Sequence, residues 1–282
     1  MIENYLWQYL VVFAQEKTIT KTAQKLNVTP ASVSRGLKKL EELLGEELFL
    51  HSPQRLVLNE LGDFTVQKAK ELLKQEEVTV KQIKNYATST AQIKIASTLK
   101  GARLLADDLF GISTQAISEE EVGERLLNYE NNLIFTTKEV TDSRIETTYL
   151  GSEALAIMIT PQSELFKQDE VFFSDLAGQS FIVAQNIGTW QRVLDKYTKD
   201  VIYIPQEKGA LVEITKNSEL GAFCTNITYV LDKTRRSKQR KVIFLSDVTA
   251  KLPIYGVYRP NDEEKIKSYL QKMTRKLAEL KK

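Results

Sequence analysis

Hydrophobic positions along the chain fall into two regimes. From residue 4 to about 85 they recur every three or four positions, and beyond 92 short apolar runs alternate with helical stretches. Residues 4–15 place Tyr5, Leu6, Tyr9, Leu10, Val12 and Phe13 at helical spacing. A short helix over 20–26 follows, with Thr20 as its N-cap, and Asn27-Val28 ends it. Thr29 and Pro30 open a third helix: a capping hydroxyl, then a residue whose missing N–H is harmless in a first turn. That helix carries Val33, Leu37, Leu40 and Leu44 on one stripe, and Gly45 supplies a left-handed stop. Two helices joined by a tight turn, with small Ala23 at their contact, form a helix-turn-helix pattern. Extended runs at 48–50 and 55–58 flank His51-Ser52-Pro53-Gln54 and predict a hairpin, or wing.

A long helix is expected from 59 to about 85, with Leu61, Thr65, Ala69, Leu72, Glu76, Val80 and Ile83 approximating one stripe. Such a stripe must be covered, by a second copy of the chain or by its own domain. The length favours a second copy. Thr88-Ser89-Thr90 is a polar joint. After it, strands are expected at 92–96, 115–118, 133–137, 147–150, 154–160, 181–184, 201–204, 222–225, 242–244 and 254–258. Helices are expected at 103–110, 120–128, 189–197, 212–218 and 263–281. Strands separated by helices indicate an open α/β domain. No internal repeat or low-complexity segment is visible.

Length and composition narrow the function classes. The 282 residues suit about two domains, and 42% apolar with 27% charged residues is ordinary globular usage. One cysteine, Cys224, excludes an intrachain disulfide and a cysteine zinc site; one histidine, His51, excludes paired-His metal sites and makes a Ser-His-Asp triad improbable on its face. Glycine-rich dinucleotide and phosphate loops and the G-x-S-x-G nucleophile elbow are missing. The expectation is no catalysis, no cofactor and no metal. The opening Met1-Ile2-Glu3-Asn4 lacks a basic run, residues 10–14 are too short for a signal segment, and no window approaches the ~18 apolar residues of a span. A cytoplasmic protein with no membrane partner is expected. Net charge is only +2, but residues 17–40 hold six basic residues (Lys17, Lys21, Lys25, Arg35, Lys38, Lys39) and no acid. A local positive face on a near-neutral chain suits a polyanion, although a solvated helix face has the same composition.

The stretch Thr18-Ile19-Thr20-Lys21-Thr22-Ala23-Gln24-Lys25-Leu26-Asn27-Val28-Thr29-Pro30-Ala31-Ser32-Val33-Ser34-Arg35 resembles the LysR-type transcriptional regulators. The continuation from Leu37 through Leu40-Glu41, Leu44-Gly45 and Leu48-Phe49 is similar to that family's "LE–LG–LF" run, and Leu58-Asn59-Glu60-Leu61-Gly62 to its "LT–AG" opening of a linker helix. This match covers about residues 5–65. Looser similarity continues at Gln92-Ile93-Lys94-Ile95-Ala96-Ser97, at Asp175-Leu176-Ala177-Gly178-Gln179-Ser180-Phe181-Ile182, and from Glu213 to Thr225. The resemblance implies an all-α winged helix-turn-helix over 1–58, a dimerising linker helix over 59–90, and over 91–282 an α/β effector domain of two subdomains resembling periplasmic binding proteins. Those subdomains are expected at roughly 91–160 with the C-terminal helix, and 161–260. Pro30-Ala31 stands where the family usually has Gln-Pro, His51 at a usual Arg, and Asn59 at a usual Thr. The segment between Ile95 and Ile117 is short, with Leu104-Leu105-Ala106 in place of a Pro-bearing run.

The implied function is sequence-specific transcription regulation modulated by a small molecule. Two alternatives are a DNA-binding protein whose effector half serves only oligomerisation, and an α/β enzyme with an appended DNA-binding domain. The partners are double-stranded DNA with twofold-related half-sites, a second copy of the chain as dimer or tetramer, and a small anionic effector. The third helix offers Pro30, Ala31, Ser32, Ser34 and Arg35 to a major groove: Arg35 for a guanine edge, the serines for base edges or phosphates, and Pro30 and Ala31 for a thymine methyl. Lys38 and Lys39 suit phosphates, Thr20 and Thr29 place hydroxyls and helix amides on the backbone, and Gln54 and Arg55, with His51, sit on the wing. In the effector half, Ser97 and Thr98 at the end of the first strand suit an anion, Gln185 would face the same cleft, and Thr225 follows the Gly221 loop; capping and turn roles fit these residues equally. Cys224 lies in an apolar context and reads as packing. The basic run 233–241 reads as a solvated loop or a further phosphate contact.

Overall fold

The computed structural model describes residues 1–51, 56–89, 92–185, 187–198, 201–204, 218–231 and 240–280, with the backbone alone at 51, 89, 201, 203 and 204. It divides into two compact units, Met1–Lys84 and Asn85–Lys282.

The first unit holds helices α1 (Asn4–Glu16), α2 (Ile19–Leu26) and α3 (Pro30–Leu44), strands β1 (Phe49–His51) and β2 (Leu56–Leu58), and most of α4 (Glu60–Ser89). Leu6, Leu10 and Phe13 of α1, Ala23 of α2, and Val33, Leu37 and Leu40 of α3 form one buried cluster with Leu48 and Phe49. Of the positions the helical periodicity singled out, Leu6, Leu10, Phe13, Val33, Leu37 and Leu40 are buried here, Tyr9 and Leu44 pack partly buried against them, Val12 is half-buried and Tyr5 is exposed. The N-cap of α2 is Thr18, not Thr20: the Thr18 hydroxyl accepts from the Lys21 amide at 3.3 Å, and Thr20 lies inside the first turn. The hydroxyl that matters is set by where the chain leaves the extended region, and Thr18 has φ −142° and ψ 140°. Thr29 caps α3 as expected, accepting from the Ser32 amide at 3.2 Å, and Gly45 ends it at φ 72°, a conformation open to glycine without strain. The wing strands pair antiparallel, Phe49 against Leu58. Glu41 ties α3 to the wing by accepting from the Leu48 amide at 2.7 Å. Asn59 begins α4: its Oδ1 accepts from the Gly62 amide at 2.7 Å while its Nδ2 donates to the Glu47 carbonyl at 2.8 Å.

The stripe on α4 has two destinations. Val66 and Ala69 join the core of the first unit and Thr65 is buried, whereas Phe64, Leu72, Val80 and Ile83 remain exposed. The last turn belongs to the second unit, where the Asn85 side chain donates through Nδ2 to the Asn128 carbonyl at 2.7 Å and Tyr86 meets Tyr129 edge to face.

The second unit contains β3 (Ile95–Ser97), α5 (Lys100–Phe110), β4 (Gln115–Ala116), α6 (Val122–Leu127), β5 (Leu133–Thr136), β6 (Glu146–Ile159), β7 (Phe181–Ala184), α7 (Thr189–Tyr197), β8 (Val201–Ile204), β9 (Gly221–Thr225), α8 (Asn226–Leu231), β10 (Lys241–Phe244), β11 (Lys251–Tyr258) and α9 (Glu263–Glu279). Among the described residues, nine strands form one sheet in the order β4-β3-β5-β11-β6-β9-β7-β8, with β10 also on β6. Each end is parallel (β3 with β4 and β5, β7 with β8 and β9), as βα crossovers produce. Antiparallel β6 and β11 join the two ends.

Two sequence expectations change here. The runs 147–150 and 154–160 are one 14-residue strand, β6. The apparent break at Gly151-Ser152 is a register shift against β11 between Ile254 and Tyr255 that carries the strand from one half to the other. The second half therefore does not extend to 260: β11 pairs with β5 and returns the chain to the first half. Helix α8 was not anticipated, and the helix expected at 212–218 lies outside the described residues save Ser218. The first half packs α5 and α9 on the sheet through Leu99, Leu105, Phe135, Ile266 and Met273. The second is built on Leu155, Ile157, Phe181, Trp190, Leu194 and Phe223.

Candidate functional site

The buried stripe of α3 fixes what its other face shows. With Val33, Leu37 and Leu40 in the core, Pro30, Ala31, Ser34, Arg35, Lys38 and Lys39 are all exposed and Ser32 is half-buried. The first turn holds no acid, so the partial positive charge of the helix end is unopposed. Thr29 and Ser32 share a hydroxyl–hydroxyl bond of 2.8 Å, and Arg35 Nε donates to the Ala31 carbonyl at 3.3 Å, which lays the guanidinium along the first turns. The basic residues then separate. Lys39 pairs with Glu3 of α1 at 2.5 Å; that bond holds the Glu3 carboxyl below its ordinary value and lifts the Lys39 ammonium. Lys25 pairs with Glu16 at 2.8 Å, and Lys38 lies 4.0 Å from Glu42. Among the described residues, Lys17, Lys21 and Arg35 form no ion pair and are exposed. Thr20 is exposed at the start of α2. Gln54 and Arg55 lie outside the described residues, as do positions 233–239 of the basic run. Arg240 and Lys241 are placed, and donate to backbone carbonyls of Leu220 and Gln168.

In the second unit, the four effector candidates have different surroundings. Ser97 ends β3, is buried, and bonds its own turn: its hydroxyl donates to the Leu99 carbonyl at 2.9 Å and accepts from the Leu99 amide at 3.1 Å. Thr98 is buried and donates to Glu119 at 2.5 Å. Glu119 also accepts from the hydroxyls of Thr136 and Thr137, at 2.5 and 2.8 Å. Burial opposes the charge, yet the Thr136, Thr98 and Thr137 bonds hold this carboxyl below its ordinary value. The chain's own carboxylate thus occupies the Thr98 hydroxyl and the Leu99 turn occupies that of Ser97, the two that were expected to meet an anion. Gln185 is exposed. Thr225 alone of the four lines a cavity beside α5.

That cavity, of about 380 Å³, lies between α5 and the second half of the sheet. Its walls are largely apolar, from Leu104, Leu155, Val183, Leu194 and Phe223. Polar groups enter at few points. Glu153 on β6 is 1% exposed and Trp190 on α7 is 3% exposed. Glu153 Oε2 and Trp190 Nε1 are both buried and neither completes a hydrogen bond of normal geometry, although the indole and the Thr225 hydroxyl lie near the carboxyl. Burial pushes the Glu153 carboxyl up to about 7, against the pull of the Thr225 hydroxyl, the Trp190 indole and the Lys100 ammonium. Gly101, in the first turn of α5, makes room for it: a Cβ there would lie 2.0 Å from Glu153 Oε1. Neither Glu153, Trp190 nor Glu119 was singled out from sequence. A signal did exist for Glu153, since strand alternation sets it on the same face as Leu155, Ile157 and Ile159. Among the described residues, no group of three His, Cys, Asp or Glu side chains can hold a metal ion, and no helix is long and apolar enough to cross a membrane.

Residues 5–63 match the family described as "Bacterial regulatory helix-turn-helix protein, lysR family". The chain is 21% identical over 196 residues to the HTH-type transcriptional regulator CysL of Bacillus subtilis (strain 168), spanning 66% of each chain. It is 28% identical over 157 residues to the regulator BsdA of the same organism, covering 52% of this chain and 51% of BsdA. These matches thus span about two thirds and about half of the curated relatives. The DNA-bound crystal structure of Vibrio fischeri DarR shares the fold at a TM-score of 0.57 and 18% identity, over 96% of this chain and 98% of that one.

Proposed function

We propose that the chain is a LysR-type transcriptional regulator that binds specific DNA through α3, dimerises along α4, and is switched by a small molecule in the cavity beside α5. In this reading residues 1–58 are the DNA-binding domain, 59–90 the dimerisation element and 91–282 the effector domain. The observation that carries it is the outward face of α3: Ala31, Ser34 and Arg35 stand on the first two turns of a capped helix with no acid among them. Short side chains let a helix N-terminus approach base edges, and a free guanidinium can bridge O6 and N7 of a guanine. Pro30 and Ser32 flank that contact, while Thr29 and Thr20 lie where hydroxyls and helix amides meet phosphates. Lys38 is the better phosphate contact of the lysine pair, because Lys39 is held by Glu3. Gln54 and Arg55 of the wing complete the surface in this proposal.

The effector residues in this proposal are Thr225 in the cavity wall, together with Ser97, Thr98 and Gln185. No catalysis is assigned to the chain, which acts in the cytoplasm where its operator lies. Footprinting on DNA upstream of the chain's own gene tests the reading. Protection of two half-sites related by a twofold axis is expected, and the absence of any protected sequence at moderate salt would overturn it.

A further inference from the structure

Buried polar atoms almost always have a hydrogen-bond partner, so each exception calls for one. Two exceptions face the same cavity: Glu153 Oε2 accepts and Trp190 Nε1 donates, and although the indole lies near enough to draw on the carboxyl, the two complete no hydrogen bond, so each keeps capacity for a ligand. The charged groups in the described lining are Lys100, Asp108 and Glu153, two carboxyls against one ammonium. Glu153 also occupies the place a bound anion would take. Its carboxyl rests on the first turn of α5, admitted there by the missing side chain of Gly101, so the positive end of that helix already faces a carboxyl of the chain. A second carboxylate entering the cavity would meet this one at close range in an apolar enclosure, where like charges repel strongly.

We propose that the cavity takes a small amine with an apolar body, its ammonium donating to Glu153 and an oxygen a few bonds away accepting from Trp190 Nε1. The proposal rests on the reading of this cavity as the effector site and specifies its ligand class. An ammonium brings the counter-charge and a donor to the orphaned oxygen, forming a charge-assisted bond in a desolvated setting. The apolar body fills a wall built of Leu104, Leu155, Val183, Leu194 and Phe223. The high proton affinity of Glu153 fits a site that is kept neutral until a cation arrives.

The test uses the full chain and three probes sharing one body: 2-phenoxyethylamine, 2-phenoxyethanol and phenoxyacetate, titrated calorimetrically. The amine is expected to bind wild type at least about tenfold more tightly than the acid, and to lose about tenfold or more with Glu153→Gln. With wild type its affinity should fall about tenfold per pH unit below 7, as Glu153 takes up a proton. Trp190→Phe, which keeps the ring and removes the donor, should weaken the amine and the alcohol alike, and it provides a second variant should Glu153→Gln unfold. Acid binding as tight as amine binding overturns the ligand class, as does amine binding indifferent to both substitutions, or no binding by any probe at millimolar concentration. The same titrations are repeated with operator DNA present. Amine binding that leaves operator affinity unchanged supports the ligand class and overturns the effector reading instead.

Discussion

Arg35 and Lys39 are both exposed cations on α3, yet their neighbours give them different work. Arg35 has no acid against it, whereas Lys39 is drawn to Glu3. Arg35→Ala should cost about 1–3 kcal/mol of operator affinity and relax preference at one base position in each half-site. A binding-site selection with an unchanged sequence profile would refute the assignment. Lys38→Ala should weaken every sequence alike and reduce the slope of log affinity against log salt by about 1, while Lys39→Ala should change that slope less. Glu153 makes a separate prediction about stability. Its carboxyl titrates near 7 in the folded chain, against an ordinary value of 4.5. Between those values the folded state holds the proton more tightly than the unfolded state, so its contribution is full below 4.5, falls as pH rises through the window, and is level above 7. Lys100 acts on it electrostatically, and Asp108 of α5 and Cys224 of β9 line the same cavity. Glu153→Gln, neutral at every pH, should gain about 3 kcal/mol on wild type between pH 4.5 and 7.5, read from urea unfolding midpoints. A difference that does not change with pH would show that the carboxyl is not kept protonated.

At the scale of elements, capping separates hydroxyls that hold the fold from those left for the proposed DNA contact. Thr18 closes the first turn of α2 with its side chain, and its carbonyl accepts from the Thr22 hydroxyl at 2.8 Å. Thr18→Ala should therefore destabilise the first unit by about 1 kcal/mol. Thr20→Ala, one position into the helix and exposed, should stay within about 0.5 kcal/mol of wild type while lowering DNA affinity. Chemical denaturation of both variants beside a DNA titration checks the pair; equal destabilisation would restore Thr20 as the cap. Strand β6 shows the converse case, in which a local break signal was overridden. Gly151-Ser152 reads as a turn, but pairing with β11 on both sides of the shift keeps the chain extended. Long-range hydrogen bonds outweigh the weak preference of two residues.

For the whole molecule, the exposed half of the α4 stripe is the feature that needs a partner. Leu72 is 48% exposed and Ile83 65%, on a helix whose Val66 and Ala69 are already buried in the first unit. The two coverings weighed for this helix thus divide along it: Val66 and Ala69 pack on their own domain, and the later turns stay exposed, where the proposed second copy would cover them. Leu72→Asp or Val80→Asp should convert a dimer to monomer in sedimentation, because a buried unpaired charge costs several kcal/mol. Operator affinity should fall with it, since two linked recognition helices bind twofold half-sites far better than one. Wild type sedimenting as a monomer at micromolar concentration would remove the basis for both expectations.

The sequence by itself determined the first unit nearly to the residue. Its helices carry their signals locally, in the Thr29-Pro30 start, the Gly45 stop and the three-to-four spacing of Leu6, Leu10, Val33, Leu37 and Leu40, and all of these lie where the structure has them. The alternation of strands and helices was equally legible beyond residue 92, and with it the α/β class. Only the tertiary structure decided which strands pair, that β6 is one strand serving both halves, and that β11 returns to the first. It also decided the chemistry of the cavity. Ser97 and Thr98 were read from their place after the first strand, but what a hydroxyl meets depends on residues far away in the chain: Glu119 reaches Thr98 across 21 positions, and Glu153 is brought against Gly101 and Trp190 by three different elements. Local propensity is written within a turn or two of each residue. Desolvation and charge pairing depend on neighbours that are assembled only when the sheet closes.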